Sequence, residues 1–309
     1  MRVRHLPTFV SIEPANYCQL RCPECPVGQR SAKDAIGKAQ NMNWDTYERI
    51  LSQVQSTAHT IQFYFQGEPL LNPLLPKMIS RAREIGLFTI VSTNAQALTH
   101  SMAAELVKSG LNRIIVSIDG FSEESYAAYR VGGSLHNALE GLRCLSEAKY
   151  RYHSSICIEL QVLRLRSNEH EWQWIRHNYR NMGATRLVFK TAQLYDYQHG
   201  HLLMPTNERY SRYKKGTDGT YHLQRSHISN LALLLFHQSP CYRLWSGCVI
   251  TTAGEVLPCC YDKEHHHSLG NITTQPLSAI FHSTQAHAFR LQVLSSENTS
   301  PQICQNCYH

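Results

Sequence analysis

Between residues 9 and 190 the chain alternates short apolar runs with longer stretches whose apolar positions recur every three or four residues. The first pattern suits strands buried on both faces, and the second suits helices with one apolar side. Runs 9–12, 60–65, 88–92, 113–118, 155–163 and 185–189 are therefore expected to be strands. Stretches 44–54, 74–85, 101–109, 123–129, 135–149 and 169–182 are expected to be helices. Six strand–helix repeats predict a parallel sheet and the α/β class. Residues 191–240 are turn-rich, aromatic and polar, as in Tyr195-Asp-Tyr-Gln-His-Gly200, which predicts a linker or a substrate-facing flap.

A chain of 309 residues is ample for a barrel plus an extension. With 42% hydrophobic and 17% charged residues, the composition is that of an ordinary soluble protein. The longest apolar run, 231–236, is far too short to span a bilayer. Met1-Arg-Val-Arg-His5 is basic, but no apolar signal region follows, so a cytoplasmic, reducing location is expected. Eleven cysteines in that setting read as metal ligands rather than disulfides. The net charge of +7 can attract an acidic partner or substrate, the competing reading being that it serves only solubility. Basic residues are dispersed, the densest knot being Arg212, Lys214 and Lys215, so nucleic-acid binding is not expected.

The chemistry concentrates in Cys18-Gln-Leu-Arg-Cys22-Pro-Glu-Cys25, just after the first strand. Three soft thiolates at this spacing can hold three corners of an iron–sulfur cube and leave the fourth iron open. Structural zinc usually takes four protein ligands, often in C-x2-C or C-x4-C pairs, and suits the triplet poorly.

The triplet resembles that of the radical S-adenosylmethionine (SAM) superfamily, whose members hold a [4Fe-4S] cluster on C-x3-C-x2-C and let SAM chelate the remaining iron. This chain departs at Glu24, where the family often has an aromatic residue. The resemblance implies a partial (β/α)6 TIM-like barrel with its site at the strand C-terminal ends. Phe65-Gln66-Gly67-Glu68-Pro69 resembles a G-G-E-P-like family segment, with Gln66 in place of the first glycine, which implies that Gly67 and Glu68 serve the amino group of SAM. Asn94, Ser117 and Asp119 end later strands; such side chains suit a ribose, and the resemblance puts SAM there. The competing reading makes them loop starts, with Asp119 or Ser122 as a helix cap. Arg130, in Tyr129-Arg-Val-Gly132-Gly133, resembles a family arginine that meets the SAM carboxylate, against a surface arginine at a helix end. Asn168 has two readings, adenosine contact or helix cap, and Lys190 either faces the barrel mouth or is solvated.

A second cysteine set comprises Cys241, Cys259 with the adjacent Cys260, and Cys304-Gln-Asn-Cys307. Four thiolates from three separated positions can close one metal centre, and Gly254 reads as the turn of a hairpin joining the first two positions. The set resembles the twitch extension, the shortened relative of the SPASM domain. That implies one auxiliary [4Fe-4S] cluster on Cys241, Cys259, Cys304 and Cys307. Gly270-Asn271 and 276–294 with Arg290 are similar to it too. A structural zinc is the competing reading, and Cys260 could replace Cys259. A free Cys260 or Cys248 could donate a hydrogen atom, against a plain buried role. Cys144 and Cys157 read as core, and His265-His-His267 as a solvated loop. The expected domains are a core barrel over 1–195, a linker or flap over 196–240 and a twitch/SPASM-like domain over 241–309.

The resemblance implies an enzyme fed electrons by a flavodoxin- or ferredoxin-type donor. It would cleave SAM reductively to a 5′-deoxyadenosyl radical and abstract hydrogen from a substrate C–H bond. The seventeen residues before Cys18 are too few for a leader-binding domain, which favours dehydrogenating or epimerising a small polar substrate such as a sugar or cyclitol. Peptide or protein modification is the alternative. A non-catalytic iron–sulfur or zinc sensor is a third reading, but it gives Gly67, Glu68, Ser117 and Arg130 no reason to recur at strand ends.

Overall fold

The computed structural model describes residues 5–29, 38–224, 241–294 and 301–307. Six strands form where the apolar runs lie: β1 Phe9–Ile12, β2 Thr60–Phe63, β3 Phe88–Thr93, β4 Arg113–Ser117, β5 Cys157–Arg164 and β6 Arg186–Thr191. Each pairs in parallel with the next, as the crossover helices between them require. Those helices are α1 Pro26–Gln29, α2 Trp44–Val54, α3 Leu75–Glu84, α4 His100–Lys108, α5 Glu123–Ala127, α6 Leu135–Arg151 and α7 Trp172–Asn178. Asn43, Thr99, Ser122 and Ser134 cap α2, α4, α5 and α6 by accepting a backbone N–H in the first turn.

The expected helix over 169–182 is shorter and starts differently. Arg166–Glu171 is a 3-10 turn, and α7 ends at Asn178. Side chains pin this turn: Asn168 accepts from Leu165 N and Trp172 Nε1, while the Glu171 carboxylate accepts from Phe121 N and Ser125 Oγ.

Beyond the barrel come β7 Tyr213–Lys215, β8 Tyr221–Leu223, α8 Arg243–Ser246, β9 Gly247–Ile250, β10 Glu255–Leu257, β11 Gly270–Asn271, α9 Leu277–Phe281, α10 Thr284–Leu294 and α11 Gln302–Gln305. Strands β9 and β10 form the expected hairpin, with Gly254 at φ +80° in its turn. This hairpin is no detached appendage. Strand β9 lies parallel to β1, Phe9 opposite Gly247, so the nine-stranded sheet runs β11-β10-β9-β1-β2-β3-β4-β5-β6. β7 and β8 form a separate antiparallel ribbon within the expected flap, whose last part, 225–240, lies outside the described residues.

Alternation along the strands separates two faces. Val10, Ile12, Ile61, Phe63, Ile114, Val116, Ile158 and Leu160 join the main core under the helices. The residues between them are largely polar and turn inward: Ser11, Gln62 and Tyr64 line an open cavity. Among the described residues no helix is long and apolar enough to cross a membrane.

Candidate functional site

The triplet occupies the loop after β1, and three barrel elements fix it. Cys18 Sγ accepts from Leu20 N and from Asn94 Nδ2, each at 3.4 Å. Arg130 Nη1 lies 4.0 Å from Cys22 Sγ, and Cys25 N donates to Cys22 O at 3.1 Å. Gly67 packs directly beneath the loop, since a Cβ there would stand 2.0 Å from Ala15 O and 2.8 Å from Tyr17 N. The close approach read into this glycine is thus made to the cysteine loop's own backbone. Glu68 follows, 3% exposed, with its carboxylate accepting from Thr93 Oγ1 at 2.6 Å, Asn94 N at 2.9 Å and Leu70 N at 3.2 Å.

Two expected cofactor contacts are buried instead. Asp119 has no exposed surface; its Oδ2 takes Arg130 Nε at 2.7 Å and Nη2 at 2.6 Å, and its Oδ1 takes Leu163 N at 2.6 Å. It therefore aims Arg130, leaving Nη1 toward Cys22. Asn168 is also fully buried, donating to Asp119 O and Leu163 O besides its two accepted bonds. It shapes the loop after β5 rather than facing a ligand. Polar residues at strand ends look alike in sequence whether they face a ligand or a neighbouring loop. Ser117 ends β4 opposite Gln161 and is 6% exposed, and Ser122 caps α5.

Burial sets the electrostatics. It pushes the Cys18 thiol up to about 12, against the Leu20 hydrogen bond and with help from Glu68. It also raises Cys22, which Arg130 draws back down. The Glu68 carboxyl is raised by burial and lowered by its hydrogen bonds. Arg130 is held charged by Asp119 and Cys22 despite its burial. Buried thiols ionise when a cationic centre takes them as ligands.

Tyr195 and His201 close over this loop by way of Glu24. Glu24 Oε2 accepts from Tyr195 N at 2.9 Å, and its Oε1 lies 3.3 Å from His201 Nε2. The departure at Glu24 therefore ties the triplet to the 195–201 segment. Around it Leu20, Cys22, Tyr129, Leu165, Leu194 and Tyr213 form one apolar cluster. Segment 192–213 is thus a strap across the cysteine loop. Its turn-rich composition indicates a flap, and the unexpected carboxylate at Glu24 is what ties it to the triplet.

The second set assembles under α10. Cys241, Cys259 and Cys304 pack together against Leu244, Phe289 and Val293. Cys307 N donates to Cys304 O at 3.1 Å. Tyr261 N donates to Cys259 Sγ at 3.4 Å, whereas Cys260 Sγ receives Arg243 Nη1 at 3.6 Å. Cys259 and Cys260 share a hydrogen bond that raises the first thiol and lowers the second. Cys248 is 3% exposed, its thiol pushed by burial to about 12. Of the three histidines, His265 bonds Glu255 Oε2 at 2.8 Å and stacks on Phe65.

The donor sets can be tested against the groups they suggest. One tetrahedral ion needs all its ligands within about 4 Å of one another, from a metal–sulfur distance near 2.3 Å. Among the described residues the one trio of ligand atoms within 4.8 Å is His100, Glu140 and Cys144, far from both sets in sequence. Neither cysteine set is drawn in that tightly, whereas a cube takes each sulfur on a different iron. All-sulfur donors in partly buried positions fit iron–sulfur clusters in both places.

Between the barrel and the second set lies a cavity of about 790 Å3. Its walls include Ser11, Gln62, Tyr64, Lys190, Cys248 and Cys260. Lys190 thus lines the cavity while part of its side chain stays exposed, and the partial burial of its ammonium group lowers its pKa.

Residues 12–164 match the family described as the Radical SAM superfamily, and residues 241–308 match SPASM, an iron–sulfur cluster-binding domain. A PqqA peptide cyclase of Streptomyces rochei is 23% identical over 266 residues, 82% of this chain and 69% of that protein. Another, from Bradyrhizobium diazoefficiens, is 28% identical over 207 residues, 65% of this chain and 51% of its own length. The chain thus spans only about half of the second protein. Among solved structures, BtrN in complex with AdoMet and 2-DOIA superposes with a TM-score of 0.57 at 18% identity, over 99% of this chain and 94% of BtrN. Native anSMEcpe with bound AdoMet gives 0.67 at 17% identity, over 98% and 88%. At such identities these two establish a shared fold.

Proposed function

The chain belongs to the radical SAM superfamily and carries a C-terminal SPASM domain, and from that premise we propose that it dehydrogenates or epimerises a small polar substrate held in the barrel beside its second cysteine set. The open cavity beside the second cysteine set, lined by both polar and apolar side chains, carries this reading. Its volume of about 790 Å3 falls within the usual range for small-molecule sites, and its walls join the barrel interior to Cys259 and Cys260.

The residues divide the work. Cys18, Cys22 and Cys25 would hold the SAM-binding [4Fe-4S] cluster, and Cys241, Cys259, Cys304 and Cys307 one auxiliary cluster. When bound, the first cluster and SAM supply a 5′-deoxyadenosyl radical able to take hydrogen from an unactivated C–H bond. Gly67 lets the triplet loop seat against β2, and Glu68 offers a buried carboxylate for the ammonium group of SAM. Arg130, aimed by Asp119, brings a fixed positive fork to the edge of the triplet for the SAM carboxylate. Asn94 holds Cys18, and the strap tied by Glu24 keeps water from the loop. Cys260, which lines the cavity next to Arg243, would in its protonated form return a hydrogen atom in an epimerisation, and the resulting thiyl radical would be restored to the thiol by one electron from the external donor and a proton from water. A flavodoxin- or ferredoxin-type protein would deliver the electron.

Peptide modification is the second reading, favoured by the peptide cyclases among the relatives. One experiment separates the readings. The chain is reconstituted anaerobically with iron and sulfide and given SAM, a strong reductant, and fractions of small polar metabolites or of peptides. We expect 5′-deoxyadenosine, increased by a small-molecule fraction. No 5′-deoxyadenosine from a fully loaded protein refutes the radical reading, and stimulation by peptides alone refutes the small-substrate one.

A further inference from the structure

The charge of the cavity is one-sided. Arg164, Lys190, Arg212, Arg243 and Lys263 all line it, and among the described residues no aspartate or glutamate does. The nearest carboxylate below Lys190 is Glu159, 4% exposed, which Arg113 and Arg186 already share at 3.8 and 3.5 Å. The cations fall into two groups, Lys263 belonging with the first through its charge acting on Cys260. Arg243 reaches Cys260, and Arg212 donates to Tyr261 OH and Asn306 O at 3.4 Å each. Those two adjoin the second cysteine set and suit the negative charge of a thiolate-held cluster.

Arg164 and Lys190 have no such assignment. They stand on the other wall, at the C-terminal ends of β5 and β6, where Lys190 pairs with the residue before Arg164. The Arg164 guanidinium carbon lies 4.7 Å from the Tyr210 ring, 5.3 Å from Phe189 and 5.7 Å from Trp172. Its Nε is buried with no hydrogen-bond partner, and its charged neighbour is Arg176, another cation. Three rings therefore hold a planar fork rigid at the cavity wall with a donor unmet. Such a group suits an oxyanion, because the ordering that binding requires has already been done and a desolvated cation gains most from a counter-ion.

We propose that the substrate is an anion whose phosphate or carboxylate group is received by Arg164 and Lys190 at the β5–β6 rim, a proposal that rests on this cavity being the substrate site. The test titrates the full, iron-loaded chain with SAM present, by calorimetry, against inorganic phosphate, succinate and uncharged inositol. We expect one or both anions to bind, inositol not to bind, and affinity to fall as salt rises. Phosphate alone would identify a phosphorylated substrate, and succinate alone a carboxylate. Arg164→Met and Lys190→Met should each weaken anion binding about tenfold, the scale of one charge-assisted hydrogen bond. Arg164→Lys and Lys190→Arg should recover part of it, which a merely structural role would not predict. Iron content and the visible absorption of each variant certify folding. Binding of neither anion, equal binding of inositol, or anion affinity indifferent to both methionine variants overturns the proposal. Absent 5′-deoxyadenosine with intact anion binding would instead refute the radical reading and leave the anion site standing.

Discussion

The sharpest consequence of the site concerns a single methyl group. In Gly67→Ala the new Cβ would stand 2.0 Å from Ala15 O, 2.7 Å from Ala15 C and 2.8 Å from Tyr17 N, all backbone atoms with no rotamer to escape into. Relieving the first contact needs the two chains to part by more than 1 Å, from the minimum near 3 Å that real Cβ atoms keep. Overpacking of this kind costs about 1–3 kcal/mol and shifts backbone. Here the backbone is the loop leading into Cys18 on one side and Glu68 on the other. The three hydrogen bonds of Glu68, 2.6–3.2 Å long, do not survive a 1 Å displacement without loss. The variant should therefore fold yet lose the first cluster while keeping the second. Reconstituted Gly67→Ala should hold about half the iron and sulfide of the parent, because each cube is assembled on its own thiolates. It should also lose the spectral change on SAM addition. Full iron with normal SAM binding would refute the claim that Gly67 serves the triplet, and loss of all iron would show that the two sets do not load independently.

Other expectations follow from named contacts. Asp119→Asn leaves Arg130 buried without its counter-charge and should destabilise the chain by about 3–5 kcal/mol, read in denaturant melts; adding Arg130→Met should restore part of it. Cys259→Ser should empty the second site of iron while Cys260→Ser keeps it, and an inverted result in iron analysis would exchange their roles. Glu24→Ala removes the bond to Tyr195 N and should loosen the strap by about 1–3 kcal/mol, so the brown chromophore should bleach faster in air. Burial lowers Lys190, with Glu159 opposing and Arg113 and Arg243 assisting, so its charge is present at low pH and lost as pH rises through a point below the ordinary 10.5. Anion affinity should fall there, and Lys190→Arg should abolish the step.

Much of this fold could be read from periodicity. All six barrel strands and most helices lie within a few residues of the apolar runs, because a buried strand and an amphipathic helix impose different spacings on apolar residues. The turn at Arg166–Glu171 escaped because a 3-10 start and an α start share similar spacing, and the hydrogen bonds of Asn168 and Glu171 that decide between them come from other elements. Pairing of β9 with β1 escaped for a related reason: nothing local tells Gly247 that Phe9 is its neighbour. At the site, residue types pointed to the right region but not to orientation. Glu68, Asn94 and Arg130 converge on the triplet, whereas Asp119 and Asn168 spend their polar atoms inside the protein. Arg164 offered no motif at all, since its meaning comes from three rings gathered around it.

The β1–β9 pairing also has a bearing on synthesis. Gly247 is made 238 positions after its neighbour Phe9, so at ~5–20 residues per second one side of β1 waits ~12–48 s for its partner. During that interval an apolar strand with open backbone donors and acceptors is a template for pairing with other nascent chains. Truncation before residue 247 should therefore yield an aggregating polypeptide rather than a smaller working barrel, and chaperone demand should end when the last third is complete.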